Sequence, residues 1–175
     1  VILIGPTLHK DTAWLAIQAR LKKRGIQFES HTSIHDTETG ENIIERNMAL
    51  LRETPDQVDI LWIFDDISSE LRHKSISTLT KNSRHYRSKI IISSQSIVDL
   101  TPSAHAQVDA TLLFGSFNDR SLMQIWSRIE PPLSESQFIR LYHQVTKGQY
   151  QFLFIDRDTG QFRKNLDQLI HVVPR

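Results

Sequence analysis

Short, continuously apolar runs alternate along this chain with stretches whose apolar residues recur every three or four positions, and that alternation predicts strands and helices in turn. The run VILI at 1–4 reads as a buried strand. DTAWLAIQARLKKRG follows, with Asp11 placed to cap a helix, Trp14, Ile17 and Leu21 on one face, and Gly25 as the stop. IQFES predicts a second, weaker strand, HTSIHDTETGE a polar loop, and NIIERNMALLRE a helix that ends before Pro55. VDILWIF and KIIISS are too continuously apolar to leave a wet face, which predicts parallel strands covered by helices on both sides; TLLFGS continues the series. DRSLMQIWSRI and SESQFIRLYHQVTKG predict two helices separated by Pro131 and Pro132, the second capped by Ser134. YQFLFIDRDTGQFRKNL predicts a strand, a DTG turn and a return segment. No repeat, low-complexity tract or linker interrupts the pattern, so one α/β domain is expected over residues 1–175.

Composition narrows the function classes. At 175 residues and 39% hydrophobic content the chain can bury one compact core. Lys plus Arg number 21 against 20 for Asp plus Glu, so contact with nucleic acid or a membrane surface must be local rather than wholesale. Cysteine is absent, which removes disulfides and thiolate metal sites. No apolar run approaches the roughly 20 residues of a membrane span. Val1 already lies inside an apolar run, and the expectation is a start within a larger protein, with a segment upstream.

Candidate chemistry gathers in LWIFDDISSE, residues 61–70, where an apolar run meets Asp65 and Asp66. Ligands of open parallel sheets sit beyond the carboxyl ends of the strands. A carboxylate leaving so apolar a strand needs a cation, a donor cluster or water. The Walker B arrangement fits, in which an acidic strand end holds the magnesium of a bound nucleoside triphosphate and a neighbouring carboxylate orients the attacking water. Asp65 would then handle the metal and Asp66 act as base. The ordinary alternative is that both cap a helix beginning near Ser68. In KIIISSQS, Gln95 stands just past the next strand, where a polar side chain can sense the terminal phosphate; a Gln satisfying a loop backbone is the plain alternative. KNSRHYRSK, residues 81–89, carries Lys81, Arg84, Arg87 and Lys89 with His85 and Tyr86. These could contact DNA phosphates or reach a neighbouring subunit's nucleotide, with Arg84 as the chosen arginine finger, or form a solvated charge run.

A phosphate cradle of the GxxxxGK[ST] type is missing. In the nearest stretch, GPTLHKDT, Lys10 takes the second glycine's place and Asp11 the lysine's, leaving Gly5 and Thr12. An aspartate there would repel a triphosphate. Either the loop has decayed or it lies before Val1.

The series ILIGPTLHKDTAWLAIQARLKKRGI, DILWIFDDI, TKNSRHYRSKIIISSQS and FLFIDRDTGQFRKNL resembles the genome-packaging ATPases of large DNA viruses, the poxvirus-type branch of the FtsK/HerA superfamily. In that family a P-loop comes first, and a second strand then ends in a Pro-Thr element followed by a Lys-Asp pair and a tryptophan-bearing helix. Pro6, Thr7, Lys10, Asp11 and Trp14 match that second element. The resemblance implies a three-layer P-loop NTPase-like core, truncated at its amino end, from an ATP-driven translocase that forms a homo-oligomeric ring and moves double-stranded DNA into a capsid. It implies Asp65 on Mg2+, Asp66 as catalytic carboxylate, Gln95 as phosphate sensor and Arg84 acting across the subunit interface, with ATP as substrate and capsid or portal components as partners. It places the protein in the virion or the host cytoplasm. Without the glycine-lysine loop, residues 1–175 alone are expected neither to bind ATP tightly nor to hydrolyse it.

Other readings fare less well. None of the eight histidines forms an HExxH array, and His31 and His35 fall in a loop-like stretch. A Gly-x-Ser-x-Gly elbow is absent. Trp62 and Trp126 sit in apolar patterns that suit a core, and Trp14 packing its own helix is as plausible as a site role. A receiver-like domain would place its acidic pair after the first strand, where Pro6 and Thr7 stand. The serious rival is a non-catalytic DNA-binding or ring-building subunit with a decayed nucleotide site.

Overall fold

The computed structural model describes residues 1–53 and 59–172. Contacts divide the chain into two compact units, Val1–Ala104 and His105–Arg175.

In the first unit, strands β1 (Ile2–Ile4), β2 (Glu29–His31), β3 (Ile60–Asp65) and β4 (Ser88–Ser93) are joined by helices α1 (Thr12–Lys23), α2 (Ile43–Glu53) and α3 (Lys74–Asn82). All pairings are parallel, in the order β2-β1-β3-β4. Side chains alternate across a strand, and the register Ile2 to Trp62 to Ile90 and Ile4 to Phe64 to Ile92 puts these six on one face. There they pack with Ile43, Ile44 and Met48 of α2 and Ile76 and Leu79 of α3; Trp62 and Phe64 are fully buried. The connection from β1 to β2 moves sideways in the opposite sense to those from β2 to β3 and β3 to β4. Right-handed crossovers therefore put α1 on the other face of the sheet from α2 and α3.

Asp11 caps α1 as expected, and Gly25 follows the helix with φ +67°. The apolar stripe is only partly covered: Trp14 and Leu21 are half-buried, Ile17 is 39% exposed, and α1 has no fully buried residue. The expected helix stop before Pro55 lies outside the described residues.

The second unit corrects one expectation. TLLFGS does not continue the parallel series: after the short helix α4 (Pro102–His105), strand β5 (Ala110–Phe114) belongs to a separate antiparallel sheet, β5-β6-β7-β8, with β6 (Phe152–Asp156), β7 (Phe162–Lys164) and β8 (Gln168–Ile170). The physical reason is the connection. One crossover helix returns a chain to the end where a strand began, whereas two successive helices, α5 (Asp119–Ile129) and α6 (Glu135–Val145), return it to the end it left. Ser134 caps α6 in a full capping box with Gln137. The buried Tyr142 hydroxyl accepts the N–H groups of Ser116 (2.9 Å) and Phe117 (3.1 Å) and donates to the Phe114 carbonyl (2.6 Å), closing the turn after β5.

Candidate active site

The first unit brings three segments together at the carboxyl end of its parallel sheet. Asp65 is the last residue of β3 and pairs in register with Ser93, the last of β4, so the two strands stop level. Two residues further on, Gln95 Nε2 donates to Asp66 Oδ1 at 3.2 Å. From the first turn of α1, Trp14 Nε1 donates to Asp65 Oδ2 at 2.8 Å. Asp65 is half-buried, whereas Asp66 and Gln95 are exposed.

Asp66 itself has φ +54°, in the left-handed region, where aspartate is among the few L residues tolerated. The chain thus leaves β3 abruptly on a strained residue at the point where the chemistry gathers. Helix capping does not account for the pair: residues 68–72 form turns, and α3 begins at Lys74 with His73 as its cap, Nδ1 accepting the Ser75 N–H at 3.2 Å. The turn carrying Gln95 is tied down separately. Ser94 Oγ donates to Asp99 Oδ2 at 2.6 Å, and Arg72 donates twice to the Val98 carbonyl, at 3.3 and 2.9 Å.

The loop between β1 and α1 lies against this cluster. A Cβ on Gly5 would meet the Asp65 carbonyl oxygen at 2.7 Å, so only glycine lets the two backbones approach so closely. Sequence reasoning weighed Gly5 as a remnant of a phosphate loop; the structure gives it a packing role. Asp11 Oδ1 accepts the N–H groups of Ala13 (2.7 Å) and Trp14 (3.3 Å). The helix-start donors that a phosphate would use are therefore held by the chain's own carboxylate.

Chemically, the cluster can orient a water or a hydrated cation through two carboxylates and an amide. Mg2+ is commonly held through one or two carboxylates plus substrate phosphates and waters, so Asp65 and Asp66 fit the metal half of a nucleotide site. The phosphate half has no fit in residues 5–12. Among the described residues no group of three His, Asp or Glu side chains could hold a metal by itself. His31 ends β2 rather than lying in a loop and contacts Glu29 at 3.2 Å, while His35 stacks edge-on against His73.

Arg84 is not brought to the cluster. It is exposed, between α3 and β4, at the amino end of the strand whose carboxyl end leads to Gln95. Six residues of strand separate the two ends, a span of about 20 Å at ~3.3 Å per residue. Beside it Arg87 pairs with Asp59 (2.8 Å), and Tyr86 accepts from Arg52 Nε (2.9 Å). Trp62 is core, its Nε1 donating to Ser88 Oγ at 3.3 Å, and Trp126 Nε1 donates to the Leu133 carbonyl at 3.0 Å. The residue undervalued in the sequence is Trp14. Its only signal there was its place after the Pro-Thr and Lys-Asp pairs.

No protein-family profile matches the chain. It is 24% identical over 143 residues to the uncharacterized protein 075L of Invertebrate iridescent virus 6, a match covering 76% of this chain and 55% of that protein. The chain thus spans about half the length of this curated relative. Among solved structures it resembles B204, the DNA-packaging ATPase of Sulfolobus Turreted Icosahedral Virus, with TM-score 0.61 at 17% identity, covering 93% of this chain and 94% of that one. It also resembles the genome packaging NTPase B204 of Sulfolobus turreted icosahedral virus 2 in complex with AMPPCP, with TM-score 0.59 at 15% identity over 98% and 97% of the two chains. The chain therefore has the mixed α/β fold of these packaging enzymes. Among the described residues no helix is long and apolar enough to cross a membrane.

Proposed function

We propose that residues 1–175 are the core of an ATP-driven translocase subunit that packages viral double-stranded DNA into capsids, of the poxvirus-type branch of the FtsK/HerA superfamily. The observation that carries the proposal is the convergence of Asp65 and the Asp66–Gln95 pair at the level ends of adjacent parallel strands, in a fold shared with packaging ATPases. Asp65, steadied by the Trp14 indole, holds the metal of MgATP. Asp66 orients the attacking water and takes its proton, and Gln95 senses the terminal phosphate through the same hydrogen bond. Bound Mg2+ supplies neutralisation of charge on the phosphates. Arg84 lies too far along β4 to serve its own site and is assigned to a neighbouring subunit's nucleotide in a homo-oligomeric ring. Capsid or portal components are the further partners, and the virion or the host cytoplasm is the place of action.

Because the helix-start donors of α1 are held by Asp11, the phosphate-binding loop of this reading lies outside residues 1–175, and those residues alone neither bind ATP tightly nor hydrolyse it. A second reading, a non-catalytic DNA-binding or ring-building subunit with a decayed loop, is favoured by one observation: Asp11 already occupies the helix-start donors that follow the Gly5 loop. Phosphate release from MgATP by the whole polypeptide, with and without double-stranded DNA, decides between them. DNA-stimulated release supports the motor; a whole polypeptide blind to MgATP establishes the scaffold.

A further inference from the structure

The bond between Gln95 and Asp66 joins two segments that meet a second time. One runs from Asp66 to His73, between β3 and α3, and the other from Ser94 to Thr101, after β4. Gln95 Nε2 donates to Asp66 Oδ1 at 3.2 Å, and further along the first segment the Arg72 guanidinium donates to the Val98 carbonyl from Nε (3.3 Å) and Nη2 (2.9 Å). Both contacts lie at the surface, where a lone hydrogen bond competes with water. Each has one charged partner, and the Arg72 contact adds a second prong and a shorter distance. It is the firmer grip of the two.

The segments are anchored unequally. Ile67 and Leu71 are 4% and 0% exposed, and Glu70 Oε2 accepts the Ile34 N–H at 2.7 Å and the Ser33 hydroxyl at 3.2 Å, just past β2. The N–H groups of Glu70 and Leu71 close onto the Ile67 carbonyl, and that of His73 onto the Glu70 carbonyl. Arg72 therefore extends from a base fixed both to the core and to a neighbouring strand end. The second segment has no fully buried residue from Ser94 to Thr101. Its tightest bonds are internal: Ser94 Oγ donates to Asp99 Oδ2 at 2.6 Å and accepts the Ser96 N–H at 3.2 Å. Such local bonds fix the shape of a turn and leave its direction open. Leu100 packs against the core, and the hydroxyls of Thr101 and Ser77 lie 2.9 Å apart at the far end of the turn. Val98, held by Arg72, is the anchored point nearer to Gln95 along the chain.

From these contacts we infer that Arg72 is the positioning residue of Gln95: by gripping the Val98 carbonyl it aims the turn after β4 so that the Gln95 amide meets Asp66. The arginine acts through the backbone from Val98 back to Gln95, and the nucleotide needs no contact with it. Its direction-setting role rests on the geometry alone. What the aimed amide then does, sensing the terminal phosphate beside the base, rests on the ATPase reading above. Misplacing a group at a reacting centre by about 1 Å can cost about 10²-fold, so a side chain outside the cluster can govern its rate.

A double-mutant cycle on phosphate release from MgATP by the whole polypeptide tests the inference. Arg72 is exposed, so its variants keep the fold. Arg72→Ala should lower kcat by about 10- to 100-fold and leave KM within about twofold, because the amide is needed in the transition state rather than for binding. In a Gln95→Ala background the same substitution should cost less than about twofold, since no amide remains to be aimed. Arg72→Lys keeps one charged donor and should recover part of the rate. Equal losses in the two backgrounds, or no loss in either, overturn the inference.

A second readout needs no catalysis. The NMR signals of the Gln95 side-chain amide should show exchange with water about tenfold faster in Arg72→Ala than in the native polypeptide. Unchanged exchange overturns the inference even where hydrolysis falls, because Arg72 would then touch the nucleotide itself. Faster exchange in a polypeptide inert toward MgATP would keep the positioning role and discard the ATPase. Hydrolysis of MgATP with unchanged exchange in Arg72→Ala would do the reverse.

Discussion

β3 and β6 end alike, as ILWIFD and FLFID, yet their terminal aspartates have different fates. Asp156 closes the turn that follows it, its Oδ1 accepting the N–H groups of Asp158 and Thr159 at 3.0 Å each. Those backbone donors, Thr159 first, hold its carboxyl below the usual range. Among the described residues, Asp65 and the adjoining Asp66 receive nothing so local. Their donors are an indole 51 residues away and an amide 29 residues away. An acidic residue at the end of an apolar strand thus carries no function by itself. The distance along the chain to its partners separates an aspartate that folds a turn from one that the fold holds ready.

The sharpest way to break that contrast is to neutralise each aspartate in the whole polypeptide. Asp66→Asn keeps a residue tolerated in the left-handed region and should lower phosphate release by about 10²- to 10⁴-fold, with the melting temperature little changed. Asp156→Ala should do the opposite, lowering the melting temperature through loss of the turn and leaving the rate per folded molecule in place. Equal rate losses in the two variants would abolish the distinction. A smaller effect is expected from Trp14→Phe, which keeps the ring and removes the N–H that steadies Asp65. Outer partners of metal-binding groups are worth about 10- to 100-fold in metal affinity, so the Mg2+ concentration giving half-maximal phosphate release should rise by about tenfold while the rate at saturating Mg2+ holds. A fall in that saturating rate with no change in Mg2+ dependence would make Trp14 a packing residue only.

The same contrast explains how far the residues spoke for themselves. Uninterrupted apolar runs announce buried parallel strands, and Asp65 and Gln95 were legible because each stands just past such a run. Their pairing follows from adjacency of β3 and β4, the usual arrangement of two parallel strands joined by one short helix. The alternative in which Asp65 and Asp66 cap a helix beginning near Ser68 fails because the chain makes a further turn before α3, and His73 takes the cap. β5 was assigned to the wrong sheet although both following helices had been read; strand direction depends on how many elements intervene, which local pattern does not display. The bond from Trp14 to Asp65 joins segments that periodicity treats separately. The stripe of Trp14, Ile17 and Leu21 marks a face that can be covered without stating how far it is, and in the structure Trp14 and Leu21 are half-buried while Ile17 is exposed.

The smallest effect concerns acid. His105, in the second unit, is 3% exposed, and its Nε2 finds no hydrogen-bond partner among the described residues. Burial first, then the guanidinium groups of Arg157 and Arg128, pushes its pKa below the ordinary 6.5. A folded value below the unfolded one means that the unfolded chain takes up the proton first. The stability His105 contributes is therefore intact above about pH 6.5 and is lost as pH falls toward and through the folded value. Asp156 has the same sign and acts later, below its ordinary 3.8. Below about pH 6.5 the melting temperature should decline in two stages. His105→Leu should flatten the first stage, and Asp156→Ala should reduce the second, which Asp36 shares because the Thr39 and Glu38 N–H groups lower its carboxyl in the same sense. A first stage that survives in His105→Leu would show that protonation elsewhere, and not at this imidazole, weakens the fold.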